Sequence, residues 1–134
     1  MSTSVVEYKG GLRTEMKHLR SGNIVLTDAP VDNKGKGEAF SPTDIVATSL
    51  AACMLTIIGI NADSNGYSII GTKVSVTKIM YDNPRRIGEI ELVFNFPDLN
   101  YSDKQKKLII NCAKTCPVAK SLGAEVKQTL SFNF

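Results

Sequence analysis

The 134-residue chain carries 16 basic and 13 acidic side chains, a formal charge of +3, one histidine and three cysteines. A chain of this length can bury a core as one domain, residues 1–134, without disulfide staples. Its basic residues are scattered from Lys9 to Lys127 and its aromatics sit in strand-like runs such as LVFNFP, a pattern that argues against a nucleic-acid partner.

The opening MSTSVVEYKG has no apolar segment of the signal-peptide kind. SVVEY is a short strand candidate, turned by Lys9-Gly10-Gly11. LRTEMKHL alternates, with Leu12, Thr14, Met16 and His18 on one face and Arg13, Glu15 and Lys17 on the other. Ser21-Gly22 suits a hairpin turn into NIVLTD, and PVDNKGKGEAF is a Gly-rich polar loop. Ser41 then predicts a helix N-cap and Pro42 fits the first helical position. Asp44 completes a capping-box-like start, where the helix dipole favours a carboxylate. The helix is expected to reach about Asn61, with DSNGY ending it. It is apolar on nearly every face and must be covered on all sides. A small sheet covers one side, and a partner subunit is the simplest source of the rest. The run from Ile45 to Ile60, broken by Thr48, Ser49 and Thr56, is shorter than the roughly 20 residues a membrane crossing needs. The expectation is a soluble cytoplasmic protein with no membrane partner, whose three cysteines are not a disulfide framework.

YSIIGTKVSVTKIMYDNPRRIGEIELVFNFP reads as two long strands around an Asp82-Asn83-Pro84 turn. Val74 and Val76 alternate with polar residues, as do Ile90, Leu92, Phe94 and Phe96. YSDKQKKLIINCAKTC reads as a second helix, capped by Ser102 with Gln105 completing a capping box. Leu108, Ile109, Cys112 and Cys116 are placed on its inner stripe. PVAKSLG is a short helical turn stopped by Gly123. The final strand, AEVKQTLSFNF, puts Val126, Leu130, Phe132 and Phe134 on one face. The order of strands, buried helix, strands, helix and strand is that of an α+β fold.

The chemistry rests with the thiols. Cys53 sits mid-helix, beyond useful help from the helix dipole, among Ala51, Ala52, Met54 and Leu55. It is either a small buried hydrophobe or, if the fold brings a positive charge to it, a reactive thiol. Cys116 precedes Pro117 and can cap the turn PVAKSL, with Lys120 one turn on. That setting is expected to lower a thiol pKa, and simple packing is the alternative. Cys112 and Cys116 form only a lone C-x3-C pair, and His18 is the sole histidine, so a zinc site would need a further ligand. The chain has no C-x2-C, no G-x-S-x-G and no P-loop. Cys53 and Cys116, if they meet in the fold, could cycle through sulfenic acid and disulfide.

SPTDIVATSLAACM, followed about sixty residues later by CPVAKSL, closely resembles the OsmC/Ohr family of osmotically induced and organic hydroperoxide resistance proteins. The likeness spans essentially the whole chain: a meander ending in D-x-P, a Pro-led helix containing A-A-C, a long hairpin and a second helix ending at C-P. The resemblance implies an intertwined homodimer, antiparallel sheets wrapped around long central helices, with its active site at the subunit interface. It implies that Cys53 is the peroxidatic cysteine and Cys116 the resolving one. The substrate implied is an organic hydroperoxide, and the reductant a dithiol, in this family often a lipoyl protein. No metal or other cofactor is implied. The cation that activates Cys53 is matched by Arg13, with Arg20 as the alternative. One departure stands out: the peroxidases carry a glutamate after the helix-leading proline to hold that arginine, and here the position is Thr43, with Asp44 expected in the cap. The competing readings are a non-catalytic dimer that binds a small apolar or acyl ligand, and a zinc-holding structural domain.

Overall fold

The computed structural model describes residues 1–134 and divides into two compact units, Met1–Val46 and Ala47–Phe134. In the first unit, strands β1 (Ser4–Gly10), β2 (Arg13–His18) and β3 (Ile24–Asp28) form an antiparallel sheet in that order. The expected hairpin closes at Ser21-Gly22. The Gly22 N–H donates to the His18 carbonyl and the His18 N–H to the Asn23 carbonyl, both at 2.8 Å. Alternation had assigned Leu12 to the face of β2. It instead ends the Gly10-Gly11-Leu12 turn with a φ of +63°. A left-handed leucine costs roughly 1–3 kcal/mol. Two hydrogen bonds hold it there: its N–H donates to the Tyr8 hydroxyl at 3.2 Å, and its carbonyl accepts from the Ala29 N–H at 3.1 Å. After β3 the Gly-rich loop makes a 3-10 turn at Val31–Asn33. Gly35 then lies flat on the Ala29 backbone, where any Cβ would overlap the Ala29 carbonyl.

Helix α1 (Pro42–Asn65) opens with the expected reciprocal cap. The Asp44 N–H donates to Ser41 Oγ at 3.1 Å, and the Ser41 N–H donates to Asp44 Oδ2 at 3.0 Å. The helix runs one turn past the expected Asn61. Asp63, Ser64 and Asn65 are tolerated within it, and only Gly66, with φ +71°, takes the left-handed conformation that stops it. The Tyr67 N–H then donates back to the Ala62 carbonyl at 3.1 Å.

At 24 residues, with a mean hydropathy of 2.0 in its most apolar window, α1 is long and apolar enough to cross a membrane. This corrects the length-based expectation. A core helix gives the same signature, and one face of α1 is packed in that way. In the second unit, Ala47, Leu50, Ala51, Met54 and Ile58 lie in one buried cluster with side chains of the sheet and of the second helix. Each buried Leu, Met or Ile contributes about 1.5–3 kcal/mol. Val46 and Ile60, on other faces of α1, remain exposed.

The rest of the second unit is β4 (Lys73–Tyr81), β5 (Arg86–Asn95), α2 (Asp103–Lys114), α3 (Pro117–Ser121) and β6 (Lys127–Asn133). β5 buries Ile90, Leu92 and Phe94, as its alternation predicts. Phe94 stacks on Phe132 of β6 at 4.8 Å between ring centroids. The sheet order is β4-β5-β6. β4 and β5 pair antiparallel, whereas β5 and β6 pair parallel. The sheet is therefore mixed, not wholly antiparallel, because the chain between β5 and β6 crosses over through two helices and returns in the same direction. The capping box of α2 forms at Ser102 and Gln105. The helix ends at Lys114, so Cys116 lies beyond its inner stripe. Ile109 and Ala113 are its buried residues, and Leu108 and Cys112 are only partly buried.

Candidate active site

Two elements of the second unit bring thiols together. Cys53 comes from the middle of α1, and Cys116 from the junction between α2 and α3. The two thiols lie close enough for Cys53 to raise the Cys116 pKa, and both are free. Cys116 has no solvent-exposed surface, at 0%. Cys53 is partly exposed and packs against the edge of the same core. The sequence reading had Cys53 enclosed by apolar neighbours. In the structure Ala51 and Met54 are buried, Ala52 is exposed, and Cys53 itself keeps part of its surface in solvent.

Cys116 caps α3 as expected, with the Ala119 N–H donating to its sulfur at 3.4 Å. The expected lowering of its pKa does not follow. Burial pushes the thiol above its ordinary value, and the Ala119 N–H offsets this only in part. The neighbouring Cys53 adds to the upward shift. Desolvation outweighs a cap made by a five-residue helix. Lys120 points to solvent. Cys112 is partly buried, and burial raises its pKa also. His18 lies on the exposed hairpin with Nδ1 2.6 Å from Ser21 Oγ, and no three His, Cys, Asp or Glu side chains converge into a metal-binding group.

The first unit holds the candidate cation. Arg13 stands directly opposite Asp28 in the β2–β3 register. Its Nε donates to Asp28 Oδ1 at 2.7 Å and its Nη2 to Asp28 Oδ2 at 2.9 Å. Asp28 Oδ2 also accepts the Glu38 N–H at 3.1 Å. A second carboxylate, Glu38, lies 3.5 Å from Nη2 but is largely exposed. Asp28 is only 2% exposed. The guanidinium beside it holds its carboxyl below the usual range, and the same pairing raises the Arg13 pKa. Arg20, in contrast, is exposed at the hairpin turn.

Asp28 and Glu38 were not among the sequence candidates. Asp28 sits on the strand that the hairpin sets against β2, but a two-residue turn at Ser21-Gly22 would put Arg13 opposite Pro30; the actual loop spans residues 19–22 and shifts the register by two, to Asp28. Glu38 carried no such signal, because a loop has no register.

Comparison with known proteins follows the same lines. The family model described as OsmC-like protein matches residues 35–131. No curated protein matches the sequence. Among solved structures, a protein of Psychrobacter arcticus described as an osmotic stress induced and detoxification response protein superposes with a TM-score of 0.95. It is 52% identical, over 99% of this chain and 96% of that one. The organic hydroperoxide resistance protein OsmC of Legionella pneumophila gives 0.77 at 19% identity, over 100% and 98% of the two chains. A Vibrio cholerae protein described as an organic hydroperoxide resistance protein, with captopril bound in one of its active sites, gives 0.75 at 16% identity over 99% and 92%. The last two likenesses carry the fold alone. With its α+β architecture and a family model matched over most of its length, the chain belongs to the OsmC-like protein family.

Proposed function

We propose that this protein is a thiol peroxidase that reduces organic hydroperoxides to alcohols. The observation that carries the reading is the thiol pair: a partly exposed Cys53 beside a fully buried Cys116. A peroxide from solvent can meet the first sulfur and not the second.

The Cys53 thiolate attacks one oxygen of the O–O bond. That bond breaks, and the alkoxide takes a proton and leaves as the alcohol. Cys53 is left as sulfenic acid, oxidised by two electrons. The Cys116 sulfur then attacks the Cys53 sulfur. The S–O bond breaks, water leaves with the Cys116 proton, and a disulfide forms. A dithiol reductant, such as a lipoyl protein, returns two electrons and two protons and is itself oxidised to a disulfide. Burial keeps Cys116 protonated until that step, which suits a resolving thiol rather than the attacking one.

Arg13, paired with Asp28, is the candidate cation of the first unit, and the protein acts as a homodimer. Exposed Val5, Val6 and Tyr8 on β1, Ile24, Val25 and Leu26 on β3, and Ile60 on α1 support the second copy, because together they leave much apolar surface uncovered. Reduced protein is expected to consume cumene or tert-butyl hydroperoxide in the presence of a dithiol. Cys53→Ser is expected to abolish this, and Cys116→Ser to leave one turnover that ends in a trapped sulfenic acid. Turnover that survives Cys53→Ser would exclude the mechanism. A wild-type protein without turnover, carrying a co-purified acyl ligand, would favour the binding reading.

A further inference from the structure

We infer that the exposed face of α2 is the docking surface for the reductant, and that this reductant is a dithiol carried on an acidic protein surface. The inference rests on the peroxidase reading above. It adds where the electron donor binds and what charge it carries.

The charges of the chain are unevenly placed. The first unit, Met1–Val46, holds six basic and six acidic side chains. From Asp103 to Lys127 stand six lysines and only two carboxylates, Asp103 and Glu125. That excess of four outweighs the +3 of the whole chain, so the positive charge of the protein resides in this segment. On α2, the exposed residues beyond Asp103 are Lys104, Lys107, Asn111 and Lys114. Steps of three, four and three set them on one stripe, about 15 Å from end to end at 1.5 Å per residue. Asp103 stands four residues before Lys107, yet none of the three lysines is held in an ion pair. The stripe does little for the helix itself. Lys104 and Lys107 are like charges three residues apart. Lys104 also sits in the first turn, where the macrodipole disfavours a cation, and only Lys114, in the last turn, complements it.

The stripe lacks what other partners need. It has no apolar side chain to enter a lipid layer, and no arginine or aromatic ring to grip bases. A row of unpaired ammonium groups suits the carboxylates of an acidic protein surface. The position suits an electron donor, because Cys116 lies two residues beyond Lys114 and four before the exposed Lys120. One donor thiolate attacks a sulfur of the Cys53–Cys116 disulfide, and a mixed disulfide forms. The second donor thiol displaces the protein sulfur. Both protein thiols return, and the donor, oxidised by two electrons, leaves as a cyclic disulfide without its two protons.

The test uses full-length protein oxidised with one equivalent of cumene hydroperoxide. The donors are a dihydrolipoyl-lysine peptide flanked by glutamates, the same peptide flanked by glutamines, and dithiothreitol. Return of the two thiols is timed by mass spectrometry. At about 20 mM salt the acidic peptide is expected to react about tenfold faster than the neutral one, and at about 500 mM the two should converge. The triple variant Lys104→Gln, Lys107→Gln, Lys114→Gln is expected to lose that advantage while reacting normally with dithiothreitol. Glutamine propagates a helix about as well as lysine, so its fold is kept. The triple variant Lys17→Gln, Lys34→Gln, Lys73→Gln removes as much charge elsewhere and is expected to keep the advantage. Equal rates for the two peptides, or equal losses in the two variants, would overturn the inference. If peroxide forms no disulfide, the peroxidase reading fails by itself. Docking is then read from the anisotropy of the fluorescein-labelled acidic peptide on reduced protein, where binding lost only in the α2 variant upholds the surface. A single-stranded DNA 20-mer that binds this face more tightly than the acidic peptide would assign it to nucleic acid and overturn the inference.

Discussion

The two thiols of the pair are expected to differ sharply in their reaction with a neutral alkylating agent. Cys53 presents part of its surface to solvent, whereas Cys116 presents none. Reagent reaches Cys116 only when the core around it opens. That core includes Leu50, Met54, Leu92 and Ile109, so the opening is close to global unfolding. Taking the lower end for a domain of this size, about 5 kcal/mol, the open fraction is roughly one in several thousand. Labelling of Cys116 should then lag that of Cys53 by about three to four orders of magnitude. The raised pKa of Cys116 acts in the same direction, because it lowers the thiolate fraction near neutral pH. The assay is a time course with iodoacetamide at pH 7.5 under reducing conditions, quenched and read by mass spectrometry of the two cysteine peptides. Comparable rates at the two positions, in protein shown to be folded by its near-ultraviolet circular dichroism, would refute the burial argument. The order of attack proposed for the pair would fall with it.

Other expectations follow from single contacts. Ser102→Ala removes the Oγ that accepts the Gln105 N–H at 3.1 Å, leaving only the backbone N–H of residue 102 on Gln105 Oε1, and should cost about 1 kcal/mol. A calorimetric Tm lower by about 3–5 °C would agree, and an unchanged Tm would not. Phe94→Ala empties a site with 0% exposure that stacks on Phe132 and should cost about 3–5 kcal/mol in urea unfolding. A loss under 1 kcal/mol would mean that the sheet collapses onto the gap. The Asp28 carboxyl is held below its unfolded value, chiefly by its hydrogen bond to Arg13. Its contribution is therefore fully present above the unfolded carboxylate pKa, about 4, and is lost as pH falls through the lower folded value. Acid unfolding curves of Asp28→Asn should be flatter below pH 4 than those of wild type, and superimposable acid limbs would contradict the pairing.

Local chemistry was read correctly wherever it acts over a few residues. The caps at Ser41 and Ser102, the hairpin at Ser21-Gly22 and the alternation of β5 each depend on neighbours within about five positions, and all four stand in the fold. The limits of α1 and α2 were read one to two residues, or one turn, off. Helix ends are set by which residue accepts the left-handed conformation, and Gly66 did so where Asp63 and Ser64 did not. Leu12 was misplaced for a related reason: a residue held at positive φ by two hydrogen bonds is not visible to a two-residue periodicity. The Arg13–Asp28 pair was missed because the loop spans residues 19–22, two more than a two-residue Ser21-Gly22 turn, which would set Arg13 opposite Pro30.

What the sequence could not decide is which distant groups share a low-dielectric space. Cys53 and Cys116 lie far apart along the chain, and only the packing of α1 against the sheet and α2 puts one sulfur beside the other. Sequence placed Cys116 at a helix start, where a thiol is acidified. The folded core removed water from it and reversed the sign. The parallel pairing of β6 has the same origin, because strand direction depends on how two intervening helices route the chain. Propensity, capping and register are short-range and additive, so the amino-acid order alone determines them. Desolvation and thiol pairing depend on every element that closes the core, and they exist only once it has closed.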